Sequence, residues 1–249
     1  IFSSWQALPD TCWNSLYIEN HDYPRSLPRY GKLEYREKVA KMLAMSIFFL
    51  KGTPYIYQGQ EIGMTNFAKL RRKDYRDIVS IRIYDTVKKI APFLLPVVTW
   101  ALNKKARDHA RAPMQWNDKE NAGFTTGTPW MPVNPNYKEI NVEQALKDKD
   151  GIWYFYKQLN AFRLGNEIIR HGTYKQYYPK DRNVWTYERE YEGKKYVVIA
   201  NYSDKEVKFV VPNELSGKES KLVMSSYDDS PKSLNNFTLR PYEGTVYEL

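Results

Sequence analysis

The amino-acid sequence predicts an α/β fold that is followed by an antiparallel β domain. Two short apolar runs, 13–18 and 55–58, flank a segment with helical periodicity, and the connections between them are tight. From Thr173 onwards the pattern changes to short β-rich runs separated by turn residues. Strand, helix and strand in this order indicate a βαβ unit with a parallel sheet. Closely spaced β runs with regular turns are typical of a small sandwich.

The first apolar run ends in the polar residues Glu19, Asn20, His21 and Asp22. In a parallel α/β barrel the carboxyl ends of the strands carry the chemistry, so these residues are candidates for an active site. They could equally form a turn in which Asn and Asp side chains bind nearby backbone groups. Spacing alone leaves both interpretations open.

Residues 34–51 are predicted to form a helix, because their apolar positions recur at helical spacing. Gly52 stands where a C-terminal cap is expected, and Pro54 favours an extended start to the second strand, 55–58. A right-handed crossover would place Asp22 and the end of that strand at the same edge of the sheet. The apolar positions are Val39, Met42, Leu43, Ile47 and Leu50.

The long stretch 60–150 reads as irregular and rich in Pro, Asn, Trp and charge, which predicts functional loops with small helices. Asn141 and Gln144 have the spacing of a capping box for one such helix. A further helix is predicted over 152–166, from its apolar face.

The β domain is predicted to begin near residue 170, which gives domains 1–170 and 171–249. Glu192-Gly193 has the composition of a hairpin turn. The predicted strands are 173–178, 184–190, 195–202, 206–211, 220–226 and 237–248.

Composition excludes several classes of protein. The longest apolar run, 90–102, is interrupted by Pro92 and Pro96, so neither a membrane span nor a membrane partner is predicted. A single cysteine, Cys12, excludes an internal disulfide, and no leader is recognised. A cytoplasmic location is therefore expected. Scattered histidines and the lack of a glycine-rich phosphate loop predict neither a metal site nor a cofactor.

The net charge of +9 raises the question of nucleic-acid binding. Residues 69–111 hold 12 Lys and Arg against 4 Asp and Glu, so the excess is concentrated in one segment. A basic segment can contact phosphates, but no nucleic-acid motif accompanies this one. We therefore predict a solvated helical face and no nucleic-acid partner.

Six ordered motifs carry a family resemblance. They are Glu19-Asn20-His21-Asp22 with Pro24-Arg25, Gly52-Thr53-Pro54-Tyr55-Ile56-Tyr57-Gln58-Gly59, Glu61-Ile62-Gly63-Met64-Thr65-Asn66, Arg111-Ala112-Pro113-Met114-Gln115-Trp116, Ala122-Gly123-Phe124 and Val133-Asn134-Pro135-Asn136-Tyr137. In this order they resemble the carboxyl-terminal half of the α-amylase family of glycoside hydrolases, most closely its oligo-1,6-glucosidase and α-glucosidase subgroup. The resemblance implies the C-terminal part of a (β/α)8 TIM barrel, with its seventh and eighth strands and a long loop after the eighth, and then an antiparallel all-β domain.

The resemblance also implies a chemistry. Members hydrolyse glucosides with retention through an oxocarbenium-like transition state, and Asp22 would be the carboxylate that stabilises this state. His21, Arg111, Asn20, Tyr23 and Arg107 would bind the sugar, with Tyr23, Trp116, Phe124 and Trp130 available to stack on its rings. Purely structural roles remain open for several of these residues. His21 could be a core histidine, and Arg107 and Arg111 could be ion-pair partners. Arg25 and Glu61 are expected to organise loops.

The family's nucleophilic Asp and acid/base Glu have no counterpart in the matched motifs. Two parallel strands cannot close a barrel, so we expect the residues 1–249 alone to be inactive and to need a missing N-terminal half. The predicted partner is a short oligosaccharide cleaved at α-1,6 and also α-1,4 bonds. The basic stretch 70–76 keeps a trehalose-6-phosphate hydrolase open, alongside a sucrose-isomerase-type glucosyl transferase and a non-catalytic scaffold.

Overall fold

A βαβ unit opens the chain in the computed structural model, which describes residues 1–9 and 11–249. Helix α1 (Phe2–Gln6), strand β1 (Ser15–Leu16), helices α2 (Leu27–Tyr30) and α3 (Arg36–Phe48) and strand β2 (Thr53–Pro54) follow one another. β1 and β2 pair in parallel. Residues 39–48 of α3 are all buried, as expected for the crossover helix of a parallel unit. The predicted βαβ unit is confirmed.

The second strand lies earlier than predicted, because the pairing uses residues on either side of Pro54. The backbone N–H groups of Thr53 and Tyr55 donate to Asn14 O at 2.7 Å and Leu16 O at 2.8 Å. A parallel ladder uses alternate residues, so the N–H that Pro54 lacks is not needed. The predicted strand 55–58 is therefore wrong in its bounds.

Gly52 is not the cap of α3, which ends at Phe48 with Phe49 after it. Gly52 has φ +139°, and a Cβ there would lie 2.4 Å from Asn14 O and 3.0 Å from the Leu16 side chain. The glycine is thus required by the close approach of β1 to the start of β2.

A pair of helices, α4 (Ile78–Ile90) and α5 (Leu95–Lys105), interrupts the stretch predicted to be irregular. Pro92 begins the 3-10 turn between them and Pro96 lies in the first turn of α5. In a first turn proline removes no intrahelical hydrogen bond, so neither residue breaks a helix. The stretch thus contains two helices longer than the small ones predicted. The inner sides of the helices pack on a core cluster that includes Met64, Leu70, Leu102 and Met114.

Three further helices are α6 (Val142–Lys147), α7 (Ile152–Arg163) and α8 (Glu167–His171). The Asn141 side chain accepts a hydrogen bond from the Gln144 N–H at 2.8 Å, which confirms the predicted cap of α6. The predicted helix 152–166 corresponds to α7. Its last residue, Arg163, donates to carbonyl oxygens of Phe48, Leu50 and Gly52, and so satisfies acceptors just after α3.

The β domain consists of antiparallel strands in two sheets. Strands β3 (Thr173–Tyr177), β4 (Val184–Tyr191), β5 (Lys194–Asn201), β6 (Val207–Phe209), β7 (Lys221–Ser225), β8 (Phe237–Leu239) and β9 (Gly244–Glu248) form a five-stranded sheet, β3-β4-β5-β9-β7, and a pair, β6-β8. Side chains of both sheets share one core cluster. Glu192 and Gly193 have φ of 50° and 80°, as in a type I′ hairpin turn.

The predicted strand 237–248 is in fact two strands, because β8 ends at Leu239 and β9 begins at Gly244. Tyr242 between them has φ 55°, which an extended strand does not allow.

The described residues form two compact units. One contains Ile1–Tyr17, Tyr30–Tyr55 and Tyr154–Leu249; the other contains Ile18–Arg29 and Ile56–Trp153. The candidate site residues belong to the second unit. The predicted domain boundary near residue 170 stays a prediction. Across the described part of the chain, none of the helices combines the length and apolarity that a membrane crossing requires.

Candidate active site

The turn after β1 orients the predicted catalytic carboxylate. The Asn20 side chain accepts a hydrogen bond from the Asp22 backbone N–H at 2.8 Å, which closes an Asx turn. Asp22 itself stays accessible, with 47% of its side chain exposed. Asn20 thus has the local turn role that the sequence left open, and this turn presents the Asp22 carboxylate to solvent.

Three predicted site residues surround Asp22. One oxygen, Oδ1, lies 3.2 Å from Arg107 Nη1 and 3.4 Å from Arg111 Nη2. The other, Oδ2, lies 3.5 Å from Nε2 of His21, whose side chain is 69% exposed. Arg111 also donates through Nε to the His21 carbonyl at 3.0 Å. The structure thus brings together Asp22, His21, Arg107 and Arg111, and the exposed His21 is not a core histidine.

A second carboxylate, Asp77, holds the same two arginines from the buried side. Its Oδ1 lies 2.7 Å from Arg107 Nη2 and 3.7 Å from Arg111 Nη1, and its side chain is 4% exposed. Burial alone would raise the pKa of Asp77, but hydrogen bonding and charge from Arg107 and the Ser80 donors lower it below its usual range. The pKa of Arg107 is raised, first by its hydrogen bond to Asp77. Two carboxylates therefore share two guanidinium groups.

Asp77 is itself fixed by its position at the start of α4. Its side chain accepts hydrogen bonds from Ser80 N at 3.4 Å and Ser80 Oγ at 3.2 Å. Its backbone N–H donates at 3.0 Å to Oδ1 of the buried Asp108, which also accepts from Arg76 N at 2.8 Å. Sequence reasoning missed Asp77, although an Asp three residues before Ser80 and ahead of an apolar run is a recognisable helix start.

Beneath the turn lies a buried ion pair between Arg25 and Glu19. Arg25 Nη1 and Glu19 Oε2 are 3.0 Å apart, and their side chains are 0% and 1% exposed. Arg25 Nη1 also donates to the Gln58 carbonyl at 2.7 Å, while Glu19 accepts from Ser26 N at 2.7 Å. The segments that follow the two parallel strands are thus tied together, as the crossover predicted. Arg25 organises loops and is not accessible to substrate.

Glu61 lies beside this pair. Burial is the main cause that raises its pKa, and its Oε2 has no hydrogen-bond partner among the described residues. Glu61 as a whole is half-buried, and this oxygen is buried. It fits the loop-organising interpretation.

Four aromatic side chains predicted to stack on sugars are accessible. Tyr23, Trp116, Phe124 and Trp130 are 53%, 49%, 44% and 52% exposed. The Tyr23 ring lies under the Arg29 guanidinium, whose carbon is 5.3 Å from the ring centroid. Exposed flat rings suit the apolar faces of pyranoses. Within the described residues, no group of three His, Cys, Asp or Glu has the arrangement of a metal site.

Family models match two parts of the chain. The model of the alpha-amylase catalytic domain matches residues 1–172. The model of the C-terminal domain of the alpha-amylase SusG matches residues 184–246.

Individual proteins are similar over the whole chain. An oligo-1,6-glucosidase of Bacillus cereus is 45% identical over 249 residues, which are 99% of this chain and 45% of that protein. A trehalose-6-phosphate hydrolase of Bacillus subtilis (strain 168) is 43% identical, over 100% of this chain and 45% of that protein. The crystal structure of Bacillus licheniformis trehalose-6-phosphate hydrolase superposes with a TM-score of 0.94 at 43% identity, covering 99% of this chain and 45% of that one. The chain thus spans less than half the length of these relatives.

Proposed function

The chain belongs to the alpha-amylase family, and from this premise we propose that it forms part of the active site of an exo-acting α-glucosidase. Its fold is the C-terminal part of the family's (β/α)8 barrel followed by an antiparallel β domain. The enzyme that contains these residues would hydrolyse α-1,6 bonds of short oligosaccharides and also accept α-1,4 bonds. The observation that carries the proposal is the exposed Asp22 carboxylate held between Arg107 and Arg111.

Asp22 would act on the transition state. Positive charge develops at the anomeric carbon as the glycosidic bond breaks, and a carboxylate fixed before substrate arrives stabilises this charge without reorganisation. The two arginines and the Asn20 turn supply that fixation. His21, with most of its ring accessible, would donate a hydrogen bond to a hydroxyl of the same glucose.

We place the nucleophile and the general acid/base outside residues 1–249. Retaining hydrolysis needs two further carboxyl groups about 5 Å apart, one to attack and one to protonate the leaving oxygen. The carboxylates around Asp22 do not suit these tasks. Asp77 is 4% exposed and held by two arginines, and Glu19 is 1% exposed and paired with Arg25. A cytoplasmic location stays a prediction.

The names of the relatives point to two kinds of substrate, a neutral oligosaccharide and trehalose 6-phosphate. The trehalose-6-phosphate hydrolases match this chain nearly as well as the oligo-1,6-glucosidases, and the basic stretch 70–76 suits an anionic substrate. We rank the neutral substrate first, because three cations of that stretch are already engaged: Arg71 by Asp74, Arg72 by Asp85, and Arg76 by carbonyl oxygens. A sucrose-isomerase-type transferase and a non-catalytic scaffold remain alternatives.

The test measures kcat/KM of the enzyme that contains residues 1–249 with isomaltose, trehalose 6-phosphate and sucrose. Isomaltose should be the best substrate, and Asp22→Asn should lower its kcat by about 1000-fold or more. Asp228→Asn, at an exposed carboxylate of the β domain, is the matched control and should change nothing. A higher kcat/KM with trehalose 6-phosphate would show that the enzyme is a trehalose-6-phosphate hydrolase. Formation of isomers from sucrose would show a glucosyl transferase. No turnover of any substrate would favour a non-catalytic scaffold.

A further inference from the structure

The helix pair α4–α5 is apolar on its outer side as well as on its inner side. The inner side packs on its own core through residues such as Ile81, Tyr84 and Val98. The outer side and the turn expose eight large apolar side chains, each at least 42% accessible: Ile78, Val79, Ile83, Ile90, Phe93, Leu94, Val97 and Trp100. A surface helix that packs on one core normally has a single apolar stripe, with polar residues on the opposite side. An exposed patch of this kind marks an interaction site.

The exposed residues are arranged at helical spacing. Val79, Ile83 and Ile90 fall on one stripe of α4, and Val97 and Trp100 fall on one stripe of α5. The two helices pack against each other, and both direct their other side to the same core. The stripes therefore form one surface with the turn residues Phe93 and Leu94; together these seven residues are the hairpin patch.

The two helices that carry the hairpin patch are rich in cations. Residues 78–105 contain the exposed cations Arg82, Lys88, Lys89, Lys104 and Lys105, whereas their one acidic residue, Asp85, is paired with Arg72 at 2.5 Å. The Lys104 ammonium lies 4.2 Å from the centre of the Trp100 ring. Tryptophan, phenylalanine and aliphatic side chains rimmed by lysines are the composition of helices that lie in a membrane interface.

We propose that the hairpin patch docks on the surface of an anionic lipid bilayer. Apolar side chains at the turn, led by Phe93 at 79% and Ile90 at 72% exposure, would enter the boundary between headgroups and acyl chains. The lysines would bind the anionic headgroups, at a gain of about 1 kcal/mol each near such a surface, or roughly fivefold in affinity. The expectation of no membrane partner rested on the lack of a span, and surface docking requires none.

Charge disfavours the other occupants. In a contact between two copies of the hairpin patch, the lysines of one copy would face those of the other, and like charges repel. Nucleic acid would use the lysines but has no need of seven exposed apolar groups, because its binding depends on phosphate contacts and base stacking. A surface that is apolar within and anionic outside complements both parts of the patch. The rest of the enzyme, which lies outside residues 1–249, is the remaining occupant, and the experiment decides between the two.

The experiment is co-sedimentation of the enzyme that contains residues 1–249 with vesicles, so that a patch covered by the rest of that enzyme shows as an absence of binding. Equimolar phosphatidylglycerol and phosphatidylcholine should bind the enzyme, and pure phosphatidylcholine or 0.5 M salt should weaken binding by at least about tenfold. Absence of binding to anionic vesicles, or equal binding to both compositions, overturns the proposal. Binding to duplex DNA without binding to vesicles overturns it as well.

Variants separate the patch from the rest of the surface. The double change Phe93→Asp and Val97→Asp should lower vesicle affinity by at least about tenfold, and Lys89→Gln with Lys104→Gln by roughly 30-fold. Val210→Asp, at a residue 58% exposed in the β domain, and Lys205→Gln with Lys218→Gln are the matched controls. Controls that lose binding as the patch variants do would refute the assignment. So would a dimer in sedimentation velocity that Phe93→Asp dissociates. Circular dichroism checks that each variant is folded.

Discussion

The Arg107 side chain bridges the Asp22 carboxylate and the buried Asp77 carboxylate, and it makes a shorter contact with each than Arg111 does. Arg107 Nη1 lies 3.2 Å from Asp22 and its Nη2 lies 2.7 Å from Asp77. A planar guanidinium with a fixed fork can serve two acceptors at once. The position of the exposed catalytic candidate is therefore set by a carboxylate that does not touch the substrate, and this arrangement leads to the first prediction.

Asp77→Asn should impair catalysis more than stability. The amide oxygen can still accept from Ser80 and so retain the cap of α4, but the charge that holds both arginines is lost. We expect a 10- to 100-fold lower kcat for the enzyme that contains residues 1–249, and less than about 2 kcal/mol of lost stability. Asp85→Asn is the control, because Asp85 lies on the same helix, α4, and the change breaks only its exposed pair with Arg72. Equal kcat for both variants would show that Asp77 does not position the arginines.

Arg25→Met should destabilise the fold strongly. It leaves the buried Glu19 carboxylate without its cation, and breaking a buried ion pair from one side typically costs 3–5 kcal/mol. Urea unfolding measures the loss. The double variant Arg25→Met with Glu19→Gln should recover part of it, because the uncompensated charge is gone. A loss below about 1 kcal/mol for the single variant would contradict the buried pair.

Stability should fall on acidification because of His109. Burial lowers the pKa of its imidazole to about 4, while the unfolded chain has a pKa near 6.5. The folded state therefore binds fewer protons, and the His109 contribution is fully present above about pH 6.5 and is lost as the pH falls towards 4. The loss amounts to roughly 3 kcal/mol.

Protonation of His109 would cost a specific hydrogen bond. Its Nδ1 accepts from the Phe67 N–H at 3.2 Å, so protonation at Nδ1 would break that bond. Urea unfolding at several pH values gives the slope of the free energy of unfolding against pH between about 4 and 6.5. His109→Gln should remove it, and His171→Gln, at a surface histidine, should not. An unchanged slope in His109→Gln would assign it to other groups.

Gly52→Ala should weaken the β1–β2 pairing. The added Cβ would lie 2.4 Å from Asn14 O, at φ +139°, and we expect a loss of about 2–4 kcal/mol. Gly193→Ala is the matched control, since Gly193 also has positive φ but an added Cβ there would meet nothing within 4 Å. A thermal melt that shifts equally for both variants would show that the loss comes from φ alone.

Sequence patterns predicted the parts of the fold that depend on local periodicity. The crossover helix, the caps at Asn141 and the turn at Glu192-Gly193 follow from residue type and spacing, and the structure has them. The α4–α5 pair was missed because its prolines occupy first-turn positions, which depend on where a helix starts. The strand at Thr53–Pro54 was misplaced because the pairing partner, not the apolar run, defines it.

The candidate site was predictable in part. His21, Asp22 and Arg111 lie in the motifs of the family resemblance and Arg107 was predicted beside them as a sugar-binding residue, and the structure places the four together. Asp77 was not predicted, because it contacts Arg107 and Arg111, which lie 30 and 34 positions away in the chain. Sequence spacing does not reveal contacts of this kind. The catalytic roles themselves stay predictions.

The most direct test of the central claim is hydrolysis of isomaltose by the polypeptide of residues 1–249 alone. Our account, in which Asp22 stabilises a charge that carboxylates outside this chain must generate, predicts no glucose release above the rate in buffer. Glucose release that disappears in Asp22→Ala would contradict it, because this chain would then carry its own nucleophile and general acid.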